Sequence, residues 1–259
     1  MKPASGTAAE ADWQRAFWEA GHVTIPSVFT PERMNEAIQD VEAWATEALA
    51  NLSSDKQRRY IDADVTHMKA FRILDDPQEH RDFFRKLAHD PLLTSRIEQI
   101  LGKGHRVVSG RIFFKAPGGG GAKPIHQDNF YFQPSRTDGF VTVWIALEDA
   151  DEGNGCLYYA DGSHKEPILD HVAPSSRPHD LTVQEDAAAR FPTLSAAPVL
   201  QGGVSIHHGN VMHMSPNNPS DRWRRACSFH FIAEDVSMSD SLDAALRLTP
   251  RSTSSQPAI

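Results

Sequence analysis

The chain has 259 residues, 40% of them hydrophobic and 23% charged, a formal net charge of −8 and two cysteines. That is ample apolar material for a core, while the acidic balance without a basic run excludes nucleic acid as the expected partner. Two cysteines cannot build a disulfide framework, and Cys156 and Cys227 both fall in strand-like segments, where they read as small buried hydrophobes. Residues 1–10 lack a basic n-region and an apolar h-region, and no stretch approaches roughly 18 apolar residues. The expectation is a cytoplasmic protein with no membrane span.

Residues 11–20 read as a helix carrying Trp13, Phe17 and Ala20, stopped by Gly21, and His22-Val23-Thr24-Ile25 as a strand ending at Pro26. Thr30-Pro31 opens a second helix with Met34, Ala37, Ile38, Val41, Trp44 and Ala45 at helical spacing, a stripe expected in the core. Residues 51–67 are polar and loop-like, with a short element over 69–74. Asp76-Pro77-Gln78-Glu79 predicts a helix running to Ala88, with Asp76 as N-cap, Pro77 at its first position and Glu79 closing a capping box. Asp90-Pro91 caps another helix, with Leu93, Ile97, Ile100 and Leu101 facing inward and Gly102 ending it. The first hundred residues are therefore mainly helical.

The pattern changes after Gly104. Residues 106–115 are β-branched and aromatic, and the run Ala116-Pro117-Gly118-Gly119-Gly120-Gly121 has no Gly-Lys-Ser/Thr ending, so it reads as a flexible loop rather than a phosphate cradle. Pro124-Ile125-His126-Gln127-Asp128 and Phe130-Tyr131-Phe132 read as a strand or its end. Strands follow at 141–147 and 156–159, with a turn at Asn154-Gly155 between them. Residues 161–201 are rich in Pro, Ser, Asp and His and read as a loop of lid or binding type. Strand-like pieces at 204–208 and 211–215 flank Gly209-Asn210, the last strand spans 226–232, and a polar tail begins after Asp235. Helices followed by many short strands predict a helical layer packed on an antiparallel β barrel or sandwich. One domain is expected: a helical layer over 1–105, a β core over 106–235 with 161–201 as lid or insertion, and a loose tail over 236–259.

His126 and Asp128 stand two apart in a strand-like segment. On a strand that spacing points both side chains to one face, where they can supply two ligands to a divalent metal. One more imidazole completes a 2-His-1-carboxylate site of the kind that suits non-haem Fe(II) oxygenases. His80-Arg81-Asp82 has the same spacing, but on the predicted helix the two side chains point about 200° apart and cannot share a metal, so a solvated helix face is expected there. The third ligand should lie in the late strands, where His207, His208, His213 and His230 are available. His213-Met214-Ser215 repeats the period-two pattern. Eleven residues beyond His213, Arg224 enters the next strand and can pair bidentately with a carboxylate. His207 and His208, beside a Gly-Asn turn, read equally well as structural residues, and His230 as core.

His126-Gln127-Asp128, Val141-Thr142-Val143-Trp144-Ile145-Ala146-Leu147, Asn154-Gly155-Cys156-Leu157, Gly162-Ser163-His164-Lys165, and His213-Met214-Ser215 through Arg224-Arg225-Ala226, in that order, resemble the phytanoyl-CoA dioxygenase-like (PhyH) family, with the likeness spanning roughly residues 12–235. The resemblance implies an Fe(II)- and 2-oxoglutarate-dependent dioxygenase on a double-stranded β-helix (jelly roll, cupin-like) packed against N-terminal helices. By it, His126, Asp128 and His213 bind Fe(II). Arg224 holds the distal carboxylate of 2-oxoglutarate with help from Ser215, Trp144 and Gln127 flank that cosubstrate, Lys69 reaches it from the helical layer, and O2 takes the remaining metal position. The implied reaction hydroxylates an aliphatic C–H of a small molecule or natural-product intermediate and releases succinate and CO2. Asp161 stands where the family usually has Pro, and Gly202-Gly203 where it commonly has Gly-Asp; both bear on loop geometry and substrate. Retention of Asp128 argues against halogenation, for which related enzymes replace that carboxylate. Two other classes remain open: a jelly-roll metalloprotein using three histidines, such as His126, His207 and His213, without 2-oxoglutarate, and a ligand-binding relative without turnover. Asn129, Phe130, Tyr131, Phe132, Arg111, Lys115 and Arg136 are candidates for the mouth, the aromatics equally for core.

Overall fold

Two larger antiparallel sheets and one two-stranded sheet make up the β part of the computed structural model, which describes residues 8–53, 60–62, 65, 70–173 and 180–239. The larger runs in the order β1 (His22–Ile25), β10 (Val204–His208), β5 (Phe140–Ala146), β12 (Arg224–Ala233), β3 (His105–Lys115), β2 (Ile73–Asp75). The smaller runs β4 (Lys123–His126), β11 (His213–Ser215), β6 (Leu157–Tyr159), β9 (Ser195–Ala197). This is the expected jelly roll with helices against it.

Strand alternation gives the larger sheet two unlike faces. Val141, Val143 and Ile145 of β5, Val204 and Ile206 of β10, and Cys227, Phe229 and Phe231 of β12 enter the main core with Phe17 of α1 (Ala8–Ala20), Met34, Ala37, Val41 and Trp44 of α2 (Pro31–Asn51), and Leu93 and Ile97 of the helix Pro91–Leu101. The alternate residues face the smaller sheet. Pairing register sets Arg111, Ser228, Trp144 and Ser205 in one cross-strand row, and Ser109, His230, Thr142, His207 and His22 in the next. Buried polar side chains cost free energy unless they are partnered, so a polar row between two sheets needs a purpose.

Four local expectations change. The helix expected over 77–88 breaks into Pro77–His80 and Asp82–Ala88, with Arg81 extended at φ −128. Arg81 thereby donates from Nε to both carboxylate oxygens of Asp40 on α2 at 3.1 Å and joins two helices, while His80 and Asp82 on either side of it are exposed as expected. Asp76 sits in the left-handed region (φ 53) and does not cap with its side chain; its Oδ1 accepts from the backbone N–H of Gly110 at 3.1 Å and from Ser109 Oγ at 3.2 Å. Phe130-Tyr131-Phe132 is not strand but the end of a short helix, Asp128–Phe132. Finally, 161–201 is not one long loop: it holds β9, the pair β7 (His171–Val172) and β8 (Thr182–Val183), and the helix Glu185–Ala188. The Asp90 cap does form, its Oδ1 accepting from Leu92 N–H at 2.8 Å. Lys69 and the tail from 240 lie outside the described residues, and among those described no helix is long and apolar enough to cross a membrane.

Gly202 sets the turn into β10. It lies at φ +82, its N–H donates to Ala146 O at 2.9 Å, and its carbonyl accepts from Phe29 N–H at 2.8 Å. A Cβ there would lie 2.1 Å from the Phe29 carbonyl oxygen, a backbone atom with no rotamer to yield. The left-handed backbone alone costs an L-residue about 1–2 kcal/mol. Gly202→Ala is therefore expected to lower the unfolding free energy by about 2 kcal/mol or more in a urea titration; unchanged stability would contradict this docking of the turn before α2 onto the sheet.

Candidate active site

Asp128 is held between the two sheets. His126 ends β4 and lies directly opposite His213 on β11, with ring centroids 4.2 Å apart. The chain then leaves the strand through extended Gln127, and Asp128 begins the short helix that follows. The carboxylate thus arrives by a strand-to-helix turn and not by strand alternation. His126 Nε2 is 3.5 Å and His213 Nε2 3.8 Å from Asp128 Oδ1, and the three buried residues offer ligand atoms all within 4.8 Å of one another.

Each imidazole is oriented from behind by a carbonyl two residues earlier in the chain. His126 Nδ1 lies 2.8 Å from Pro124 O, and His213 Nδ1 3.1 Å from Val211 O. A carbonyl only accepts, so Nδ1 carries the proton in both rings and Nε2 presents a lone pair. Asp128 divides its two oxygens. Oδ1 faces the imidazoles, while Oδ2 accepts from Thr142 Oγ1 at 2.6 Å and from His207 Nε2 at 3.1 Å. With Nε2 donating, His207 Nδ1 accepts from Tyr159 OH at 2.9 Å, whose oxygen lies 2.8 Å from Ser205 Oγ. His207 is therefore committed behind the carboxylate, which removes the three-histidine arrangement. His208 Nδ1 accepts from Asn210 N–H at 3.0 Å, and His230 lies against the Phe132 and Phe140 rings with Nε2 4.0 Å from Asp128 Oδ2.

Burial lowers the pKa of His126 and pushes that of His213 well below its ordinary value, with His126 adding to the effect on His213. Burial raises the Asp128 carboxyl, but the neighbouring imidazoles, His213 foremost, and the hydrogen bond from His207 more than reverse this and hold it well below the usual carboxylate range. Two neutral imidazoles and an ionised carboxylate are the donor set that a divalent metal requires.

Farther along the same face of β12, Arg224 is 2% exposed, and its buried Nε and Nη1 have no hydrogen-bond partner among the described residues. Its guanidinium carbon stands 5.5 Å from the centroid of buried Trp144, and burial pulls its pKa down to about 9. Ser215, two residues along β11 from His213, is buried as well. A buried guanidinium with open donors beside a metal-ligand cluster fits a carboxylate-bearing cosubstrate such as 2-oxoglutarate. Arg225 faces the other way and clamps Glu148 with Nε at 3.0 Å and Nη2 at 2.6 Å, while Nη1 pairs with Glu42 of α2. It is a buried structural arginine rather than a barrel-edge one.

The structure does not bring Gln127 to the cosubstrate position. Its amide is used on the segment after Gly162: Nε2 donates to Asn210 O at 2.8 Å and Pro167 O at 3.1 Å, and Oε1 accepts from Leu169 N–H at 2.7 Å. Among the mouth candidates, Asn129 is buried on Thr137 O and Asn210 Oδ1, Lys115 Nζ on the Gly121 and Pro216 carbonyls, and Arg136 pairs with Asp138 and Asp235. Tyr131 presents its ring edge to His126 at 5.8 Å, and Arg111 lies on the interior face of β3. Sequence reading missed Thr142, Tyr159 and Ser205. The available signal was a polar residue recurring at alternate positions of otherwise apolar strands, as at Thr142, Ser205 and His207.

A jelly roll that joins two histidines and a carboxylate at one point, with an open arginine on the interior face of the opposite sheet, defines an iron- and 2-oxoglutarate-dependent oxygenase. The chain matches the phytanoyl-CoA dioxygenase (PhyH) family over residues 17–226 and belongs to it. It is 28% identical over 233 residues to a probable alpha-ketoglutarate-dependent hypophosphite dioxygenase of Stutzerimonas stutzeri, covering 87% of this chain and 79% of that protein. It is 32% identical over 156 residues to phytanoyl-CoA dioxygenase domain-containing protein 1 of Mus musculus, a match of 59% of this chain and 54%, about half, of the mouse protein. Among solved structures, the epimerase SnoN in complex with Fe3+, alpha-ketoglutarate and nogalamycin RO superimposes with a TM-score of 0.73 at 21% identity, covering 97% of this chain and 94% of that one, a likeness of fold.

The two shells around the metal position separate experimentally. His213→Ala is expected to abolish binding of Fe(II) or Co(II), whereas His207→Ala and Thr142→Val each weaken it by about 10- to 100-fold. Metal titration with circular dichroism on the same samples measures this. Loss of binding in His207→Ala alongside retained binding in His213→Ala would reverse the assignment.

Proposed function

We propose that this enzyme hydroxylates an aliphatic C–H bond of a small molecule, with Fe(II) held by His126, Asp128 and His213. The overall balance is R–H + 2-oxoglutarate + O2 giving R–OH + succinate + CO2. The observation that carries the reading is Arg224. Burying a charge without a partner costs several kcal/mol, so a fold keeps such a residue where a ligand brings the countercharge. Glu148, the nearest acid in sequence register, is taken by Arg225.

When bound, iron and 2-oxoglutarate supply the oxidising power for breaking a C–H bond. The chain's own residues bind, orient and exclude water. His126, Asp128 and His213 would hold the metal through Nε2, a carboxylate oxygen and Nε2. Arg224 orients the distal carboxylate, with Ser215 as a second contact and Trp144 as a flat wall beside it. The β7–β8 pair closes over the triad: His171 Nε2 accepts from Gln127 N–H at 3.0 Å and its ring stacks on Phe130 at 4.1 Å. Burial pushes the His171 pKa down to about 4, so the ring stays a neutral acceptor. Asp180 fastens the far end, accepting from Arg72 Nη2 at 2.8 Å and facing Lys123 Nζ at 3.5 Å. The retained carboxylate of Asp128 leaves no room for a halide ligand, and the commitment of His207 favours iron over a three-histidine zinc site.

Arg224→Met and Arg225→Ala test the reading as a pair. The first should weaken 2-oxoglutarate binding by roughly 30-fold or more, since truncating one member of a buried charge pair costs about 2–5 kcal/mol. Without cosubstrate its melting temperature should not fall, because an unpaired buried charge has been removed. Arg225→Ala should keep cosubstrate affinity and lose about 1–3 kcal/mol of stability as Glu148 is left unpaired. Calorimetric binding and thermal melts decide the matter; similar behaviour of the two variants, or no succinate from the parent with Fe(II) and 2-oxoglutarate, would overturn it.

A further inference from the structure

The triad, its outer hydrogen bonds and Arg224 do not use up the polar interior. Ser228 lies on β12 between Arg224 and His230, is 1% exposed, and its buried Oγ has no hydrogen-bond partner among the described residues. A hydroxyl rotates freely to find a partner, so a buried serine in mid-strand that finds none points to a ligand atom. Its cross-strand neighbours are Trp144 on β5 and Arg111 on β3.

Arg111 is built to present one edge. Its Nε donates to Asp75 Oδ1 at 2.8 Å, directly across the β2–β3 register, and Tyr60 OH donates to Asp75 Oδ2 at 3.2 Å. That anchoring sets the guanidinium plane from the Nε side. The Nη atoms hydrogen-bond to none of the described residues, and about a third (32%) of the side chain is open although it stands on the interior face. The other cations near the mouth are closed, Arg72 and Lys123 both on Asp180. An oriented guanidinium with a free edge and a hydroxyl donor across one strand form a fork suited to an oxyanion. The row that holds them is adjacent to the row of Thr142 and His207, the two residues that grip the Asp128 carboxylate.

We propose that Arg111 and Ser228 form the substrate's anchoring subsite, and that the substrate is a small acid whose carboxylate or phosphorus oxyanion is held there, one row from the residues that grip the Asp128 carboxylate. The proposal rests on the oxygenase reading and names the substrate class of that site. Arg224 serves the cosubstrate and Arg111 the substrate, so the two anions are bound by separate arginines on adjacent strands.

The test uses the Fe(II) protein, kept anaerobic with saturating 2-oxoglutarate so that Arg224 is occupied. Propylphosphonate and butyrate are the probes, with butanol and butylamine as matched controls, and paramagnetic broadening of the probe protons reports binding near the metal. Either acid should bind at least tenfold tighter than both controls. Arg111→Gln should weaken acid binding tenfold or more and Ser228→Ala about threefold, while 2-oxoglutarate affinity stays within twofold of the parent in both. Ser228→Ala removes two atoms' worth of polarity and keeps the proposal testable if Arg111→Gln fails to fold. Equal binding of acids and controls, no binding of either acid, or a matching loss of 2-oxoglutarate affinity in the variants would overturn the subsite. Uncoupled succinate formation by the parent is read in parallel: its presence with no preference for acids sinks the subsite alone, and its absence with every compound sinks the oxygenase reading beneath it.

Discussion

The divided carboxylate of Asp128 is the constraint on which the site depends. Oδ1 faces His126 and His213 of the smaller sheet, and Oδ2 is gripped by Thr142 and His207 of the larger one. One residue therefore ties the two halves of the barrel at the point where a metal would sit. The turn through Gln127 delivers it, and the Gln127 amide in turn pins residues 167–169 over the site. Ligand geometry and closure of the mouth are thus set by two consecutive residues. The hydrogen bonds run onward from His207 to Tyr159 and Ser205, so the orientation of the carboxylate is supported three residues deep. Such outer contacts hold a ligand in place and tune its basicity.

The second constraint is the unlike pair of faces on the larger sheet. Helices cover the apolar face, and that burial pays for the fold. The opposite face carries Arg224, Ser228, His230, Thr142, Trp144, Ser205 and His207, which in a structural sheet would be replaced by apolar residues. Some of these are partnered, and some are not: Arg224 Nε and Nη1, Ser228 Oγ and His230 Nδ1 remain open. Unpaired buried polar groups mark where a fold gives up stability for binding. Arg225 offers the contrast, since it is as buried as its neighbour yet fully paired, and it belongs to the layer between sheet and helices.

Much of this was legible beforehand. The Asp90 cap, the stripe of α2 and the strand-rich second half follow from local chemistry and period, and the structure repeats them. The residues His126, Asp128 and His213 were also legible, and they do converge. The stated route to them was partly wrong, because Asp128 stands on a helix. Period alone cannot tell a strand that ends at His126 from one that runs through Phe132, since an aromatic run suits either. The break at Arg81 was illegible for a similar reason: its cause is Asp40, far away in sequence, and no local preference encodes that pair.

What the sequence by itself determined is the alternation: which positions of each strand are apolar, which are polar, and that two histidines and an arginine fall on the polar set. Alternation is local and survives translation from sequence to strand without reference to any partner. What only the tertiary structure decided is who meets whom. His207, another histidine of the late strands, is turned behind Asp128 by Tyr159, while His213 is set opposite His126 by the pairing of β11 with β4. Gln127, adjacent to both ligands in sequence, points to the strap and not to the cosubstrate. These outcomes depend on strand order and register across the two sheets, which are long-range pairings that neighbouring residues do not specify.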